Sequence, residues 1–166
     1  MIKSQTKTGY LTSTALFAAL ICLTTAYIFH IPFGANGGYI HIGDALIYLA
    51  AALLPTPYAA IAAAIGGAMA DLLCAPIRAL PTFFIKMLIA LPFTSKGNKI
   101  ICFRNVTALF AAGLISCIGY ALAEMLIYGS EAMIYVSLAS SLTQAVGSAI
   151  VFILLGITLD KMRFKR

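Results

Sequence analysis

Long apolar stretches follow one another along the whole chain, separated by short polar, glycine-rich or proline-rich segments. Hydrophobic residues make up 62% of the 166 residues and charged residues only 10%, and the mean hydropathy is +1.01. A soluble domain averages about 25% charged residues, so this chain has too few polar side chains to cover a water-facing surface. Apolar stretches of this length favour helices that cross a bilayer, because a helix forms the hydrogen bonds of its own backbone N–H and C=O groups within lipid. The pattern therefore predicts an all-α integral membrane protein.

Six transmembrane helices account for the apolar stretches, at about 20 apolar residues for each full span. The predicted helices cover about 10–31, 45–54, 58–74, 81–93, 106–128 and 133–159. The second to fourth are short, so either flanking residues such as 39–43 extend them or one pair is re-entrant and shielded by protein. We expect residues 1–166 to form a single transmembrane domain, with any ATPase or enzymatic module on another chain.

Basic residues are concentrated on one side of this six-helix topology. The positive-inside rule places that side in the cytoplasm, so both termini are predicted to be cytoplasmic. Topology and attraction to the membrane surface account for the net charge of +6, and no nucleic-acid partner is expected. The nine residues on this side are Lys3, Lys7, Lys96, Lys99, Arg104, Lys161, Arg163, Lys165 and Arg166.

Most acidic residues, together with one lysine, fall in the opposite, outer half of the predicted bundle. An ionisable group at the membrane centre costs about 2.5–3.5 kcal/mol on insertion scales, so partners or water must surround it. Helical spacing also gives four helices one stripe each of small and polar side chains. We expect these stripes to enclose a polar pocket open to the outside. The predicted ligand-binding residues are Tyr39, His41, Asp44, Tyr48, Asp71, Lys86, Tyr120, Glu124 and Gln144.

Simpler interpretations of the same residues remain open. Asp71 and Lys86 are either a structural ion pair or contacts to a ligand, and the glycine-rich loop 33–44 is either a turn or a lid over the pocket. His30 and His41 are too isolated to predict a metal site, and the four cysteines lack metal-ligand spacing. We therefore predict no metal, no cofactor and no catalytic residue.

Ala15 and Ala19 form a small-xxx-small pair in the cytoplasmic half of the first helix. Such a pair lets two helix backbones approach closely. Packing within the chain and docking of another membrane subunit are both consistent with this spacing.

The sequence GGYIHIGDALIYLAAALLPTPYAAIAAAIGGAMADLL, followed by PTFFIKMLIALPF, resembles the substrate-binding S components of energy-coupling factor (ECF) transporters. The resemblance is densest over residues 38–93, and the riboflavin-type branch, with its pyridoxine-like and hydroxymethylpyrimidine-like members, is the most similar. The resemblance depends on three segments: Gly-Tyr-x-His-x-Gly-Asp before the second helix, Ala-Asp-Leu-Leu at the end of the third helix, and Phe-x-Ile-Lys in the fourth helix.

This resemblance implies a six-helix subunit of an ABC importer in the prokaryotic plasma membrane. It also implies a vitamin site in the outer half, roofed by the loop between the first two helices, and two kinds of partner: a transmembrane T subunit and two cytoplasmic ATPases. The family's helix-1 docking motif maps onto Ala15 and Ala19, and toppling of the subunit is the family's proposed transport step. Unlike some vitamin sites this chain has no Trp, and the aromatic side chains that could stack on a ligand instead are Tyr39, Tyr48, Phe83, Phe84 and Tyr120.

Two other functional classes compete with a vitamin-binding subunit. A stand-alone permease is disfavoured because no convincing internal repeat is visible. A membrane-embedded enzyme is disfavoured because no nucleophile motif, serine–lysine dyad or His/Asp metal pair occurs at a plausible depth.

Overall fold

The computed structural model describes residues 6–28, 31–33 and 38–165, and for 31–33 and 38–40 it describes the backbone alone. Over these residues the chain forms six α-helices, two short strands and one 3-10 turn at Pro76–Arg78. The strands are β1 (Ile31–Phe33) and β2 (Gly38–Ile40). The helices are α1 (Lys7–Ala26), α2 (Gly43–Leu53), α3 (Thr56–Cys74), α4 (Ala79–Ala90), α5 (Phe103–Tyr128) and α6 (Glu131–Lys161).

The six helices occur in the predicted order, and most of their ends lie within three residues of the predicted positions. The exception is α1, which ends at Ala26 rather than near residue 31. Ile31, the predicted last residue of this helix, belongs instead to β1, which pairs antiparallel with β2 in the register Ile31↔Ile40. Pro32 has no backbone N–H to donate within a helix, so an extended conformation suits this segment better.

Four of the described helices, α1, α3, α5 and α6, are long and apolar enough to cross a membrane. Many large apolar side chains are exposed on them, among them Leu16, Phe110 and Leu126, which suits a lipid-facing surface. The chain is therefore a multi-pass membrane protein. Helices α2 and α4 have 11 and 12 residues. They reach only about 16–18 Å, against a hydrocarbon core of about 30 Å. Six full spans and cytoplasmic termini therefore stay predictions.

Helix α2 is the central element of the bundle, packed against α1, α3, α4 and α6. Nine of its eleven residues are buried. Around it, α1 packs on α3, α3 on α4, and α5 on α6. The α1–α3 contact depends on Gly66, since a Cβ there would lie 2.7 Å from the carbonyl oxygen of Ala18. Small residues thus bring the backbones together as expected for helices in lipid.

One end of the bundle, here called the cation-rich end, holds the segment between α4 and α5 in place with two side chains. Asn105 donates through Nδ2 to the carbonyl oxygens of Thr94 and Ile100, at 3.1 and 2.9 Å, and accepts from the Thr94 N–H at 2.8 Å. Asp160 near the end of α6 accepts from the N–H groups of Ile100 and Ile101 at 2.8 and 2.9 Å. We call these contacts the loop clamp. Exposed Lys96, Lys99, Arg104, Lys161 and Arg163 surround it.

Candidate functional site

The opposite end, here called the cavity end, is organised around a buried ion pair between α2 and α4. Lys86 Nζ lies 2.6 Å from Asp44 Oδ1, and both residues are 1% exposed. The second oxygen of Asp44 accepts from Gln144 Nε2 of α6 at 2.7 Å. Asp44 also lies in the first turn of α2, where the helix dipole favours a negative charge. One carboxylate therefore ties three helices together.

Gly67 makes room for the lysine. A Cβ at this position of α3 would lie 2.6 Å from Cγ of Lys86, so the stem of Lys86 crosses α3 where there is no side chain. The predicted small-residue face of α3 thus has a specific use, which is to let the Lys86 ammonium reach Asp44.

A second set of polar contacts joins α3, α4 and α5. The Thr82 hydroxyl donates to the carboxylate of Asp71, and it lies 3.2 Å from the hydroxyl of Tyr120. The ring of Tyr120 also faces Lys86, whose Nζ is 5.2 Å from the ring centroid. This cation–π contact connects the second set to the Asp44–Lys86 pair.

A third polar contact joins the 3-10 turn to α5. Arg78 of the 3-10 turn forms an ion pair with Glu124 of α5, whose side chain is 1% exposed. The Nε–H of Arg78 has no hydrogen-bond partner among the described residues.

These groups surround a small polar cavity, in which about 30 Å³ is open to the centre of a water molecule. That is room for about two waters at roughly 10–15 Å³ each, so a vitamin-sized ligand needs side chains or the neighbouring strands to move. The lining residues are Thr25, His41, Gly67, Asp71, Arg78, Thr82, Lys86, Tyr120, Ser137, Ser140, Ser141 and Gln144.

Ser137 stands out in this lining. It is 1% exposed, and its hydroxyl has no hydrogen-bond partner among the described residues. A buried polar group without a partner is costly and calls for an explanation. Because Ser137 lines the cavity, a bound molecule is the simplest partner for its hydroxyl.

His41 follows β2 and lines the same cavity. Its Nδ1 accepts from the backbone N–H of Gly43 at 3.0 Å. In this arrangement Nδ1 is the acceptor nitrogen of the imidazole ring. The contact fixes the ring against the first residue of α2.

The structure brings most of the predicted ligand-binding residues together. Five line the cavity, and Asp44 and Glu124 lie directly behind it, bonded to Lys86 and Arg78. The carboxylate at 2.6 Å from Lys86 is that of Asp44, whereas Asp71 accepts from Thr82. The five lining residues are His41, Asp71, Lys86, Tyr120 and Gln144.

Tyr48 and Tyr39 are the two remaining predicted residues. Tyr48 is 1% exposed and stacks on Phe93, with ring centroids 5.0 Å apart, and it meets Phe152 edge-on at 6.0 Å. It belongs to the core. The side chain of Tyr39 lies outside the described part of the chain, as do His30 and residues 34–37 of the predicted lid.

Several lining residues were not predicted. Thr82, Ser137 and Ser141 lie on the stripes of small and polar side chains that helical spacing predicts. The spacing does not show which residues of a stripe face the cavity. Arg78 was overlooked, although a cation away from the cytoplasmic side of a membrane protein is itself a signal for an outer polar site.

A family model described as "ECF-type riboflavin transporter, S component" matches residues 5–161 of the chain. The matched range includes all six helices and every described residue of the cavity. A search of curated proteins finds no match.

Proposed function

Because this chain belongs to the family of ECF-type riboflavin transporter S components, which are substrate-binding transporter subunits and not enzymes, we propose that it captures a small water-soluble vitamin or related heterocycle. The observation that carries this proposal is the buried polar cavity at one end of an otherwise apolar bundle. The name of the family makes riboflavin one candidate ligand, and the pyridoxine-like and hydroxymethylpyrimidine-like vitamins are others.

The cost of placing polar groups inside a membrane protein supports this site. Helices can pack through glycine and alanine alone, so packing does not explain two ion pairs and a group of hydroxyls at a single end. The hydroxyl of Ser137 and the Nε–H of Arg78 belong to lining residues and have no partner among the described residues, which fits a ligand that supplies the missing hydrogen bonds. The proposed ligand contacts are His41, Asp71, Lys86, Tyr120 and Gln144, held by Asp44 and Glu124, with Tyr39 as a further predicted residue.

The distribution of charge supports an orientation. Apart from Arg78 and Lys86, the described lysines and arginines lie at or beyond the ends of helices on the cation-rich side. By the positive-inside rule this end is cytoplasmic, both termini are cytoplasmic, and the cavity opens to the outside of a prokaryotic plasma membrane. In this proposal α2 and α4 complete a six-span topology with the help of their flanking residues.

Energy for uptake would come from other subunits. We propose that the chain associates with an ECF T subunit and, through it, with two cytoplasmic ATPases. Ala15 and Ala19 support a docking role, because both are exposed on α1 while Ala18 and Cys22 of the same helix are buried against its neighbours. An exposed small-residue pair suits close approach by a helix of a partner.

The ligand-binding part is tested by thermal stabilisation of the detergent-purified chain across a panel of B vitamins. At least one vitamin should raise the midpoint of unfolding and be recovered chemically unchanged. If none does so, the proposal is wrong.

The docking part is tested by replacing Ala15 and Ala19 with leucine. The double variant should lose co-purification with the T subunit and the ATPases and keep its ligand affinity. The matched control is Ala139→Leu, at an exposed alanine of α6. Equal loss of co-purification in the control variant would argue against a specific docking face.

A further inference from the structure

A long groove runs between α5 and α6 on the surface of the bundle. It extends from Val106 to Cys117 on α5 and from Ile153 to Leu142 on α6, and its lining consists of apolar side chains and glycine. About 450 Å³ of the groove is open to the centre of a water molecule, against about 30 Å³ in the polar cavity. In a membrane protein, a surface groove of this chemistry suits a lipid acyl chain.

The length and position of the groove match one leaflet of the bilayer. From Val106 to Cys117 the helix rises by about 16 Å at 1.5 Å per residue. One leaflet contributes about 15 Å to a hydrocarbon core of about 30 Å. Val106 lies in the first turn of α5, at the cation-rich end, and Cys117 lies near the middle of that helix. The groove therefore covers the leaflet on the cation-rich side.

A buried lysine lies at the cation-rich end of the same two helices. Lys165, beyond the end of α6, is 8% exposed, and its Nζ has no hydrogen-bond partner among the described residues. Burial lowers the pKa of Lys165, and the nearby Cys102 and Asp160 act in the opposite direction. The carboxylate oxygens of Asp160 already accept from the N–H groups of Ile100 and Ile101. A buried ammonium with unused donors suits an anionic partner.

The neighbours of Lys165 connect it with the groove. Cys102 precedes Val106 by four residues, and Asp160 follows Ile153 by seven. Both spacings place residues on the same face of a helix. Cys102 and Asp160 thus continue the two sides of the groove toward the cation-rich end, and the Lys165 ammonium lies near that end of it.

The chain makes a sharp turn between α6 and Lys165. The Phe164 N–H donates to the Leu159 carbonyl oxygen and the Arg163 N–H to that of Asp160, each at 3.1 Å, which is the Schellman arrangement. Arg163 has a φ of 55°, in the left-handed region that glycine usually occupies in this motif. After this turn Lys165 is buried, whereas the four residues before it are exposed.

From these observations we infer that the α5–α6 groove holds one acyl chain of an anionic phospholipid, with its phosphate bound to Lys165. Lys161 and Arg163 are exposed cations that flank the headgroup. Basic pockets between transmembrane helices on the cytoplasmic side bind anionic lipid headgroups in this way. A neutral lipid would leave the Lys165 ammonium without an anion, and a soluble phosphate would leave the groove unused. The inference needs a chain that spans the membrane and does not depend on the ligand of the polar cavity.

The test compares two phospholipids with identical oleoyl chains, anionic phosphatidylglycerol and zwitterionic phosphatidylcholine. Native mass spectrometry of the purified chain, supplied with an equimolar mixture of the two, measures the ratio in which they stay bound. We expect at least about fivefold more phosphatidylglycerol than phosphatidylcholine. Glycerol 3-phosphate, which has the phosphate without acyl chains, should not displace the bound lipid. Equal retention of the two lipids overturns the inference, and displacement by glycerol 3-phosphate overturns the role of the acyl chain.

Two variants test the headgroup and the groove separately. Lys165→Gln should bring the ratio close to one, and Lys99→Gln, at an exposed lysine of the same end, is the matched control and should keep it. Ala149→Phe fills the groove and should lower the amount of bound phosphatidylglycerol at least about fivefold. Ala139→Phe, at an exposed alanine of α6 outside the groove, is its control. Wild-type retention in both Lys165→Gln and Ala149→Phe overturns the site. If a variant does not accumulate, the wild-type ratio decides by itself.

Discussion

Two buried polar networks lie at opposite ends of this bundle, and they are built differently. At the cation-rich end, Asn105 and Asp160 bond to backbone groups of the segment between α4 and α5. At the cavity end, the contacts run from side chain to side chain, as between Lys86, Asp44 and Gln144. The Ser137 hydroxyl at that end has no partner among the described residues.

The difference separates a structural role from a binding role. Side chains that satisfy loop backbone groups complete the hydrogen bonding of the fold and leave little for a ligand to add. Side chains from several helices that meet around a cavity, with part of their hydrogen-bonding capacity unused, are held ready for another molecule. The two roles can be told apart with variants. Substitutions at the cavity end should weaken ligand binding, whereas substitutions at the cation-rich end should lower the free energy of unfolding and leave binding nearly unchanged.

The largest effect is expected for Lys86→Met, which keeps the length of the stem and removes the charge. Asp44 is then a buried carboxylate without its cation, and the free energy of unfolding should fall by about 3–5 kcal/mol. Ligand binding should be lost as well. The measurement is denaturant or thermal unfolding of the protein in detergent, together with calorimetry.

Lys96→Met is the matched control, since Lys96 is exposed at the other end, and it should change neither quantity. Adding Asp44→Asn to Lys86→Met should recover part of the lost stability. Wild-type stability of Lys86→Met alone would mean that the ion pair does not organise the cavity end.

The converse behaviour is expected for Asn105→Ala in the loop clamp. Backbone groups of Thr94 and Ile100 lose their partner, which should lower the free energy of unfolding by about 2–3 kcal/mol. Affinity for the ligand should stay within about twofold of the wild type, because the site is at the other end. Asn98→Ala, at an exposed asparagine of the same segment, is the control. A large loss of affinity in Asn105→Ala would contradict the separation of the two ends.

Gly67→Ala tests how Lys86 is positioned. The new Cβ would lie 2.6 Å from Lys86 Cγ, so the lysine must shift, and overpacking of this kind costs about 1–3 kcal/mol. Ligand affinity should fall at the same time. Gly147→Ala is the matched control, because a Cβ there meets nothing within 4 Å and should stabilise the helix slightly. Similar unfolding midpoints for the two variants would argue against the role given to Gly67.

The smallest effect on stability is expected for Ser137→Ala. Its hydroxyl has no partner in the described structure, so the free energy of unfolding should change by less than about 0.5 kcal/mol. Loss of one ligand hydrogen bond should weaken binding by about 3- to 10-fold. Ser148→Ala removes another buried hydroxyl that has no partner among the described residues, outside the cavity lining, and should leave affinity unchanged. Equal affinities for both variants would remove Ser137 from the site.

The helices were predictable because lipid imposes a simple pattern of long apolar stretches with polar breaks. The end of α1 and the β1–β2 pair were not, since three-residue strands such as Ile31–Phe33 carry too little pattern to be recognised. Their pairing depends on a contact with a segment several residues further along the chain.

The polar residues of the site were predictable from their cost in a membrane, which singled out Asp71 and Lys86. Which carboxylate pairs with Lys86 was not, because that depends on how α2 and α4 are rotated about their axes. For the same reason the pattern did not reveal that Tyr48 stacks on Phe93 in the core while Tyr120 reaches the cavity.

Native mass spectrometry of the chain in detergent micelles, with the vitamin panel present, tests the central claim most directly. The account predicts one small molecule bound per chain in the wild type. Gln144→Leu, which removes a cavity-lining amide, should lose that molecule, and Asn98→Ala should keep it. A wild-type chain with no bound molecule, or a Gln144→Leu chain that binds one as well as the wild type, would contradict the claim that the buried polar groups of the cavity end form a ligand site.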